Sequence, residues 1–292
     1  MLNHILVPLD GSNLGELALV YAKELAAVFA SEIHLISVCE GRAAEHSRMI
    51  QIYIEKTAEQ LRLDIPRPGA IVKAEILDGE HPADRILDYA QQKKVDLIIT
   101  VSHGHSGILP WTMGSTANKI VHGAHVSVLL VRAAAAKKKR KLTNVFGKIL
   151  LPLDGSATAE QVLPYALEMA DKLKSQITLL CVVESGQHVH TIGGQNFIQF
   201  SEQYVSAMKE ELAVYLDRTV KKFDEKNGLV RGELRMGNAA EEIIKFSKEA
   251  NIRLIVMSCH GKSGLREWVF GSVSNKVLHS SKIPLLLVKD GH

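Results

Sequence analysis

Two Gly-Ser pairs in this chain follow an earlier glycine at the same distance, and this spacing could serve phosphate binding. Nine residues separate the two glycines in each copy. The two sets are Gly104, Gly114 and Ser115 in one copy and Gly261, Gly271 and Ser272 in the other. Backbone N–H groups next to a glycine can approach an anion, and helix-opening N–H groups with a serine hydroxyl can bind phosphate. The alternative is that the glycines only form turns and the serines only cap helices. This is not a Walker loop, because no Gly-Lys-Ser/Thr follows a four-residue spacer.

The segment at the start of the chain is duplicated as well. Residues 5–12 return nearly unchanged as residues 149–156, and both copies end in an Asp-Gly-Ser turn that contains Asp10 or Asp154. The chain is therefore one domain repeated. The offset between copies is 144 for these aspartates and 157 for the glycines, so the second copy carries 13 more residues. They lie near Ser185 to Ser201, a Gly-rich stretch that predicts an extended loop.

Length and composition indicate a globular protein. The 292 residues fit two domains that each bury a core. No apolar run approaches the roughly 18 residues of a membrane helix, and no basic segment precedes the first apolar run. We therefore expect a cytoplasmic protein without a membrane partner. The three cysteines are scattered, which indicates neither disulfides nor a zinc knuckle. His188 and His190 lack a third ligand at suitable spacing, so we predict no metal site.

A basic cluster lies between the two copies. Five of the 35 Lys and Arg residues stand together at Lys137 to Lys141, while the rest of the chain is nearly neutral. This composition predicts a flexible linker over 135–146, between a first domain at 1–134 and a second at 147–292. The alternative is a nucleic-acid patch. Because the cluster lacks interleaved aromatic residues, we expect no nucleic-acid partner.

Each half alternates apolar strands with amphipathic helices. The first half predicts strands at 5–9, 33–38, 70–76, 96–101 and 126–132, with helices at 82–92 and 115–122. The second half repeats this order and has a long helix at 204–223. Aliphatic strands joined by helices predict a parallel sheet covered on both faces, with ligands beyond the strand carboxyl ends. We expect the final strands, 126–132 and 283–289, to pair or pack across an internal pseudo-twofold axis, because uncovered apolar strands aggregate. A further homodimer is left open.

At these residues the chain resembles the universal stress protein family in a tandem two-domain form. The resemblance covers both halves nearly end to end. It implies an α/β fold with two tandem Rossmann-like, adenine-nucleotide α-hydrolase-like domains, each a roughly five-stranded, mostly parallel sheet flanked by helices. In nucleotide-binding members, Gly-x-x-Gly, nine residues and Gly-Ser/Thr hold the ATP phosphates and ribose. The resemblance implies that Asp10 and Asp154 face the adenine side, that Val38 and Val182 contact the base through the backbone, and that the two glycine-serine sets hold phosphate.

Both copies depart from the family pattern at the first glycine of that motif. It is Val101 in the first half and Ser258 in the second. The serine hydroxyl could donate to a phosphate oxygen, whereas the valine presents two methyl groups. Lys262 follows Gly261 and could meet phosphate charge, while the first half has His105 there, mostly neutral at pH 7. We therefore predict that the second half is the better nucleotide site.

Three function classes stay open. The leading one is a stress-response module that binds ATP or AMP, with Mg²⁺ left open, and senses or retains the nucleotide. The second is a protein-interaction scaffold with vestigial sites, and the third is a slow ATPase. We predict no catalytic residue, because a histidine beside a glycine turn, such as His103 or His260, more often has a structural or ligand-contacting role.

Overall fold

The computed structural model describes residues 2–39, 44–103, 113–132, 144–191, 194–224, 229–261 and 268–289. The chain divides into two compact units. Unit 1 consists of Met1–Val145, Cys259–Gly271 and Ser281–His292, and unit 2 consists of Phe146–Ser258 and Ser272–Ser280. Residues 135–143 of the linker predicted at 135–146 lie outside the described residues. Among the residues described, no helix combines the length and the apolar composition needed to cross a membrane.

Unit 1 contains the predicted alternation of strands and helices from the first repeat. Its elements are β1 (His4–Pro8), α1 (Leu17–Phe29), β2 (Glu32–Cys39), α2 (Ala44–Asp64), β3 (Val72–Asp78), α3 (Pro82–Gln92), β4 (Leu97–Val101), α4 (Ser115–Gly123) and β5 (Ser127–Val131). The five strands are parallel in the order β3-β2-β1-β4-β5. The chain order therefore reverses between β1 and β4, which is where such sheets open a crevice for ligands.

Burial explains why these residues form a sheet with helices on its faces. Every residue of β4 and β5 is buried, as expected for strands covered on both sides. The buried positions of α1 recur at three- and four-residue steps: Ala18, Tyr21, Ala22, Leu25 and Ala26. The first repeat thus has its own apolar core.

The last strand of the second repeat belongs to unit 1. Strand β13 (Leu285–Lys289) pairs antiparallel with β5, with Leu285 opposite Leu130 and Leu287 opposite Val128. The predicted pairing of the two final strands is confirmed. Each of these apolar strands thereby has a hydrogen-bonded neighbour at what would otherwise be an exposed edge.

Unit 2 repeats the same architecture. Its elements include β6 (Lys148–Pro152), α5 (Ala157–Glu160), α6 (Val162–Leu173), β7 (Gln176–Val183), α7 (Glu202–Asp224), β10 (Val230–Met236), α8 (Ala239–Glu249), most of β11 (Leu254–Gly261) and α9 (Ser272–Ser280). The parallel order is β10-β7-β6-β11. The end of β11 belongs to unit 1, where it pairs antiparallel with the short β12 (Trp268–Val269). The long helix predicted at 204–223 is confirmed as α7.

The extra segment of the second repeat is a hairpin, and the prediction of an extended loop was wrong. Strands β8 (Gly186–Thr191) and β9 (Gly194–Gln199) pair antiparallel along their whole length. Val189, Phe197 and Ile198 favour strand conformation, and a Gly-Gly pair such as the one at 193–194 in the sequence is a common hairpin signal. The many glycines and polar residues obscured these signals in the sequence.

The Asp-Gly-Ser turns depend on glycine. Gly11 and Gly155 have φ values of 78° and 81°, in the left-handed region that L-residues avoid. A Cβ at either position would meet no atom within 4 Å, so any penalty for a side chain comes from the backbone alone. Both turns carry the candidate aspartates, so glycine at these positions determines where the carboxylates lie.

We expect Gly11→Ala to destabilise unit 1 by about 1 kcal/mol. The left-handed conformation costs an L-residue about 1–2 kcal/mol, and the stiffer unfolded chain offsets part of this. The measurement is the midpoint of urea unfolding. Gly114→Ala is the matched control, because Gly114 has φ −59° and should tolerate a side chain. Equal midpoints for the two variants would contradict this account of the turn.

Candidate functional site

A cavity of about 460 Å³ opens at the carboxyl ends of β1 and β4, where the strand order reverses. One wall is apolar and includes Pro8, Leu9, Ile36, Val38 and Ile86. The polar side includes Asp10, Thr100, Ser102 and His103, and the start of α4 supplies Gly114, Ser115 and Thr116. The structure therefore brings together four residues predicted for the first half: Asp10, Val38, Gly114 and Ser115.

The turn after β1 fixes the orientation of Asp10. Its Oδ1 accepts hydrogen bonds from the Ser12 backbone N–H at 3.0 Å and from Ser12 Oγ at 2.6 Å. The Gly15 N–H donates to Ser12 Oγ at 3.0 Å. A Cβ on Gly15 would lie 2.9 Å from Asp10 Oδ1, so a side chain at this position would displace the carboxylate. The carboxylate is thus exposed to solvent but held in place before any ligand arrives.

The start of α4 presents backbone donors to the cavity. The Gly114 N–H donates to the Ser102 carbonyl at 2.8 Å, and the Asn118 N–H donates to the Gly114 carbonyl at 2.9 Å. The N–H groups of the three residues between them precede the first helical hydrogen bond and have no acceptor within the helix. All three residues line the cavity: Ser115, Thr116 and Ala117. Together with the helix dipole, these donors favour an anion at this point.

The glycine at the start of α4 is not required by the fold. Gly114 has φ −59° and ψ 151°, values that any L-residue adopts. A Cβ there would lie 3.5 Å from the Ser102 carbonyl oxygen, which is an ordinary contact distance. At Gly271, a Cβ would meet no described atom within 4 Å. Neither a left-handed φ nor a close packing contact therefore requires glycine at these two positions.

The end of β4 adds an imidazole and an aliphatic side chain. His103 Nδ1 lies 3.2 Å from Ser102 Oγ. Burial lowers the pKa of His103, and the charge of Arg132 lowers it further, so the ring is neutral at pH 7. It can share a hydrogen bond with a ligand but brings no positive charge. Val101 lines the cavity at the position where the family motif has a glycine.

The second repeat places its candidate residues on the corresponding elements. Asp154 is exposed after β6, and its Oδ1 accepts the Ser156 N–H at 2.9 Å. Ser156 Oγ accepts the Ala159 N–H at 3.1 Å and so caps α5. Val182 is half-buried on β7, and Ser258 is half-buried on β11. Gly261 is the last residue of β11, and Gly271 and Ser272 lie at the start of α9.

Three predicted residues lie outside the described part of the chain. Gly104 and His105 follow β4, and Lys262 follows β11. Their predicted contacts with phosphate, and the predicted advantage of Lys262 over His105, stay predictions.

Sequence reasoning missed two features of unit 1. The first is the apolar wall of the cavity, where Pro8, Ile36 and Ile86 look like ordinary core residues. The second is a group of metal-ligand types at the amino ends of β1 and β2, formed by His4, Glu32 and His34. The available signal was the two-residue spacing of Glu32 and His34, which places both side chains on one face of a strand. That His4 lies next to them follows only from the pairing of β1 with β2.

Comparison with known proteins matches this fold and its duplication. The family model described as Universal stress protein family matches residues 1–132 and 146–289. Universal stress protein YxiE of Bacillus subtilis is 30% identical over 148 residues, covering 50% of this chain and 100% of that protein. Universal stress protein MJ0531 of Methanocaldococcus jannaschii is 29% identical over 146 residues, covering 50% of this chain and 84% of that protein. Each relative therefore aligns with about half of the chain.

A solved structure matches the whole chain. The crystal structure of a universal stress protein from Archaeoglobus fulgidus has a TM-score of 0.71 and 18% identity, covering 100% of both chains. At this identity the similarity supports the fold. The two family matches cover nearly all of the sequence, and the chain belongs to the universal stress protein family, with two family segments in tandem.

Proposed function

We propose that this chain binds an adenine nucleotide, ATP or AMP, and acts as a sensor or regulatory module in a stress response. The observation that carries the proposal is the start of α4. There, three backbone N–H groups that have no acceptor within the helix line a cavity with an apolar wall. Gly114 lines the same cavity, although neither its φ nor its packing requires glycine. A phosphate bound at the helix start, next to an apolar slot for a base, accounts for both features.

The cavity of unit 1 suits this ligand in size and in the order of its groups. Its volume of about 460 Å³ falls in the range of small-molecule sites. In the proposed pose, the base lies against Ile36 and Val38, Asp10 faces the adenine and ribose side, and the phosphates reach Gly114 and Ser115. Gly104 would continue the phosphate contacts beyond the end of β4. Mg²⁺ would accompany ATP at the exposed phosphates rather than occupy a site of its own.

The second repeat carries the same residue types and, in our proposal, is the stronger site. Asp154 would face the adenine side and Val182 would contact the base. The phosphates would be bound by Gly261, Gly271 and Ser272. Ser258 removes the two methyl groups that Val101 places in the first cavity, and Lys262 adds a positive charge. Both differences favour a polyanion in the second repeat.

We expect calorimetric titration with ATP to show that Gly271→Ala loses more affinity than Gly114→Ala. Each Cβ crowds the helix N–H groups, and a lost hydrogen bond to a charged group corresponds to about 1.5–3 kcal/mol, or about 10- to 150-fold in Kd. His279→Ala, exposed in the last turn of α9, is the matched control.

The two glycine variants should unfold at the wild-type midpoint, because neither glycine has a strained φ. If Gly114→Ala abolishes binding and Gly271→Ala leaves it intact, the ranking of the sites is wrong. If the unaltered protein gives no heat at about 1 mM ATP, any binding of ATP is far weaker than at an ordinary nucleotide site. The protein-interaction scaffold then becomes the leading function.

A slow ATPase is the third candidate, because the neutral His103 ring lines the cavity and could accept a proton from water. We expect no phosphate release above background over several hours with ATP and Mg²⁺. Release that is lost in His103→Gln, with ATP affinity retained, would instead establish hydrolysis and assign the base.

A further inference from the structure

Three side chains that can bind a metal converge at the amino ends of β1 and β2, at the opposite edge of the sheet from the candidate nucleotide cavity. His4, Glu32 and His34 each offer one ligand atom, and these atoms lie within 4.8 Å of one another. The parallel register pairs His4 with Glu32, and His34 follows two residues later on the same face. His34 is buried, while His4 and Glu32 are partly buried.

The contacts inside this cluster leave acceptor atoms facing one another. Glu32 Oε1 lies 2.8 Å from His34 Nε2, yet the contact lacks hydrogen-bond geometry. His4 Nδ1 is buried and makes no hydrogen bond to the described residues. Lys73 Nζ lies 2.5 Å from Glu32 Oε1, but the lysine side chain is 52% exposed and can withdraw into water. A cation bound between the three side chains would give a partner to His4 Nδ1, Glu32 Oε1 and His34 Nε2.

A chain of hydrogen bonds orients His34 for metal binding. The Tyr89 hydroxyl donates to Glu75 Oε1 at 2.5 Å, and the Tyr89 hydroxyl oxygen lies 2.9 Å from His34 Nδ1. Because the tyrosine proton is directed to Glu75, the oxygen accepts from His34 Nδ1–H. In the neutral ring this leaves the lone pair on Nε2, which faces Glu32. Metal-binding histidines are typically held by such a second partner, which fixes the ring and its tautomer.

The second repeat shows that the fold does not need these residues. The register there is the same, but Lys148 stands opposite Gln176, and Thr178 takes the place of His34. Arg231 Nε donates to Thr178 Oγ1 at 2.9 Å, which satisfies the position without a metal. Phe246 of α8 corresponds to Tyr89 of α3, so the hydrogen-bond chain is also absent from this repeat. The ligands and the orienting chain therefore occur together in the first repeat and are replaced together in the second.

We propose that His4, Glu32 and His34 bind one Zn²⁺ ion in unit 1. Two imidazoles and one carboxylate are a ligand set that zinc accepts, with water completing the tetrahedron. Binding displaces the Lys73 ammonium from Glu32 and fastens the start of β1 to β2. The site lies at the amino ends of the strands and is separate from the candidate nucleotide cavity.

The test uses the full-length chain, freed of metal by chelation, with ZnCl₂ alone as the ligand. We expect one Zn²⁺ per chain by equilibrium dialysis, a higher thermal midpoint with zinc, and a tetrahedral d–d spectrum with Co²⁺. His4→Gln and Glu32→Gln should abolish all three responses. Tyr89→Phe should weaken zinc binding by about 10- to 100-fold, because it removes the group that orients His34.

Matched controls separate this cluster from the other histidines of the chain. His81→Gln, exposed at the start of α3, and the double change His188→Gln with His190→Gln should keep the wild-type zinc response. His4→Cys should restore binding, because a thiolate is also a zinc ligand, and this rescue separates lost coordination from misfolding. The proposal is overturned if wild type shows no zinc response, or if His4→Gln and Glu32→Gln fold with zinc affinity unchanged.

Discussion

The architecture of the candidate site depends on one constraint: the first N–H groups of a helix have no acceptor within the helix itself. In unit 1 these donors stand at the start of α4, beside the point where the parallel strand order reverses. The sheet keeps that point open, because the chain leads from β1 to β2 on one side and from β4 to β5 on the other. Burial of the strands on both faces keeps the donors in position. The Asp10 turn, the apolar wall and Gly114 are arranged around this single polar opening.

Duplication allows the two repeats to be compared residue by residue on one scaffold. Where both copies keep a residue that the backbone requires, such as Gly11 and Gly155 with left-handed φ values, the fold is sufficient explanation. Where both copies keep a residue that the backbone does not require, such as Gly114 and Gly271, the proposed nucleotide would explain it. Only the first copy has the group His4, Glu32 and His34, so the zinc site proposed here would be specific to that copy.

Much of the fold could be predicted from the sequence, because buried parallel strands are long aliphatic runs and α3 and α7 show clear periodicity. The helix predicted at 82–92 has the observed bounds of α3. The final strand pairing followed from the need to cover an apolar edge, and β5 and β13 meet as expected. The hairpin of β8 and β9 was missed because its strand-forming residues are few and its glycines resemble those of a loop.

The candidate site was predictable where one local motif carries the chemistry, as with Asp10, Gly114 and Ser115. It was not predictable where residues from several strands meet. Ile36 and Ile86 look like core residues in sequence, and their place in the cavity wall follows from the sheet order. The role of Gly15 follows from its packing against the Asp10 carboxylate. The convergence of His4 with His34 follows from the register of β1 and β2.

The most direct test of the central claim is mass spectrometry of the small molecules released when the purified protein is denatured. Nucleotide retained through purification would be held by the starts of α4 and α9 and, in unit 1, by the apolar wall of the cavity. The account predicts an adenine nucleotide in amounts comparable to the protein, lost when Gly114 and Gly271 are both changed to Ala in a chain that still folds. A purified protein that carries no nucleotide and takes none up from added ATP would contradict it.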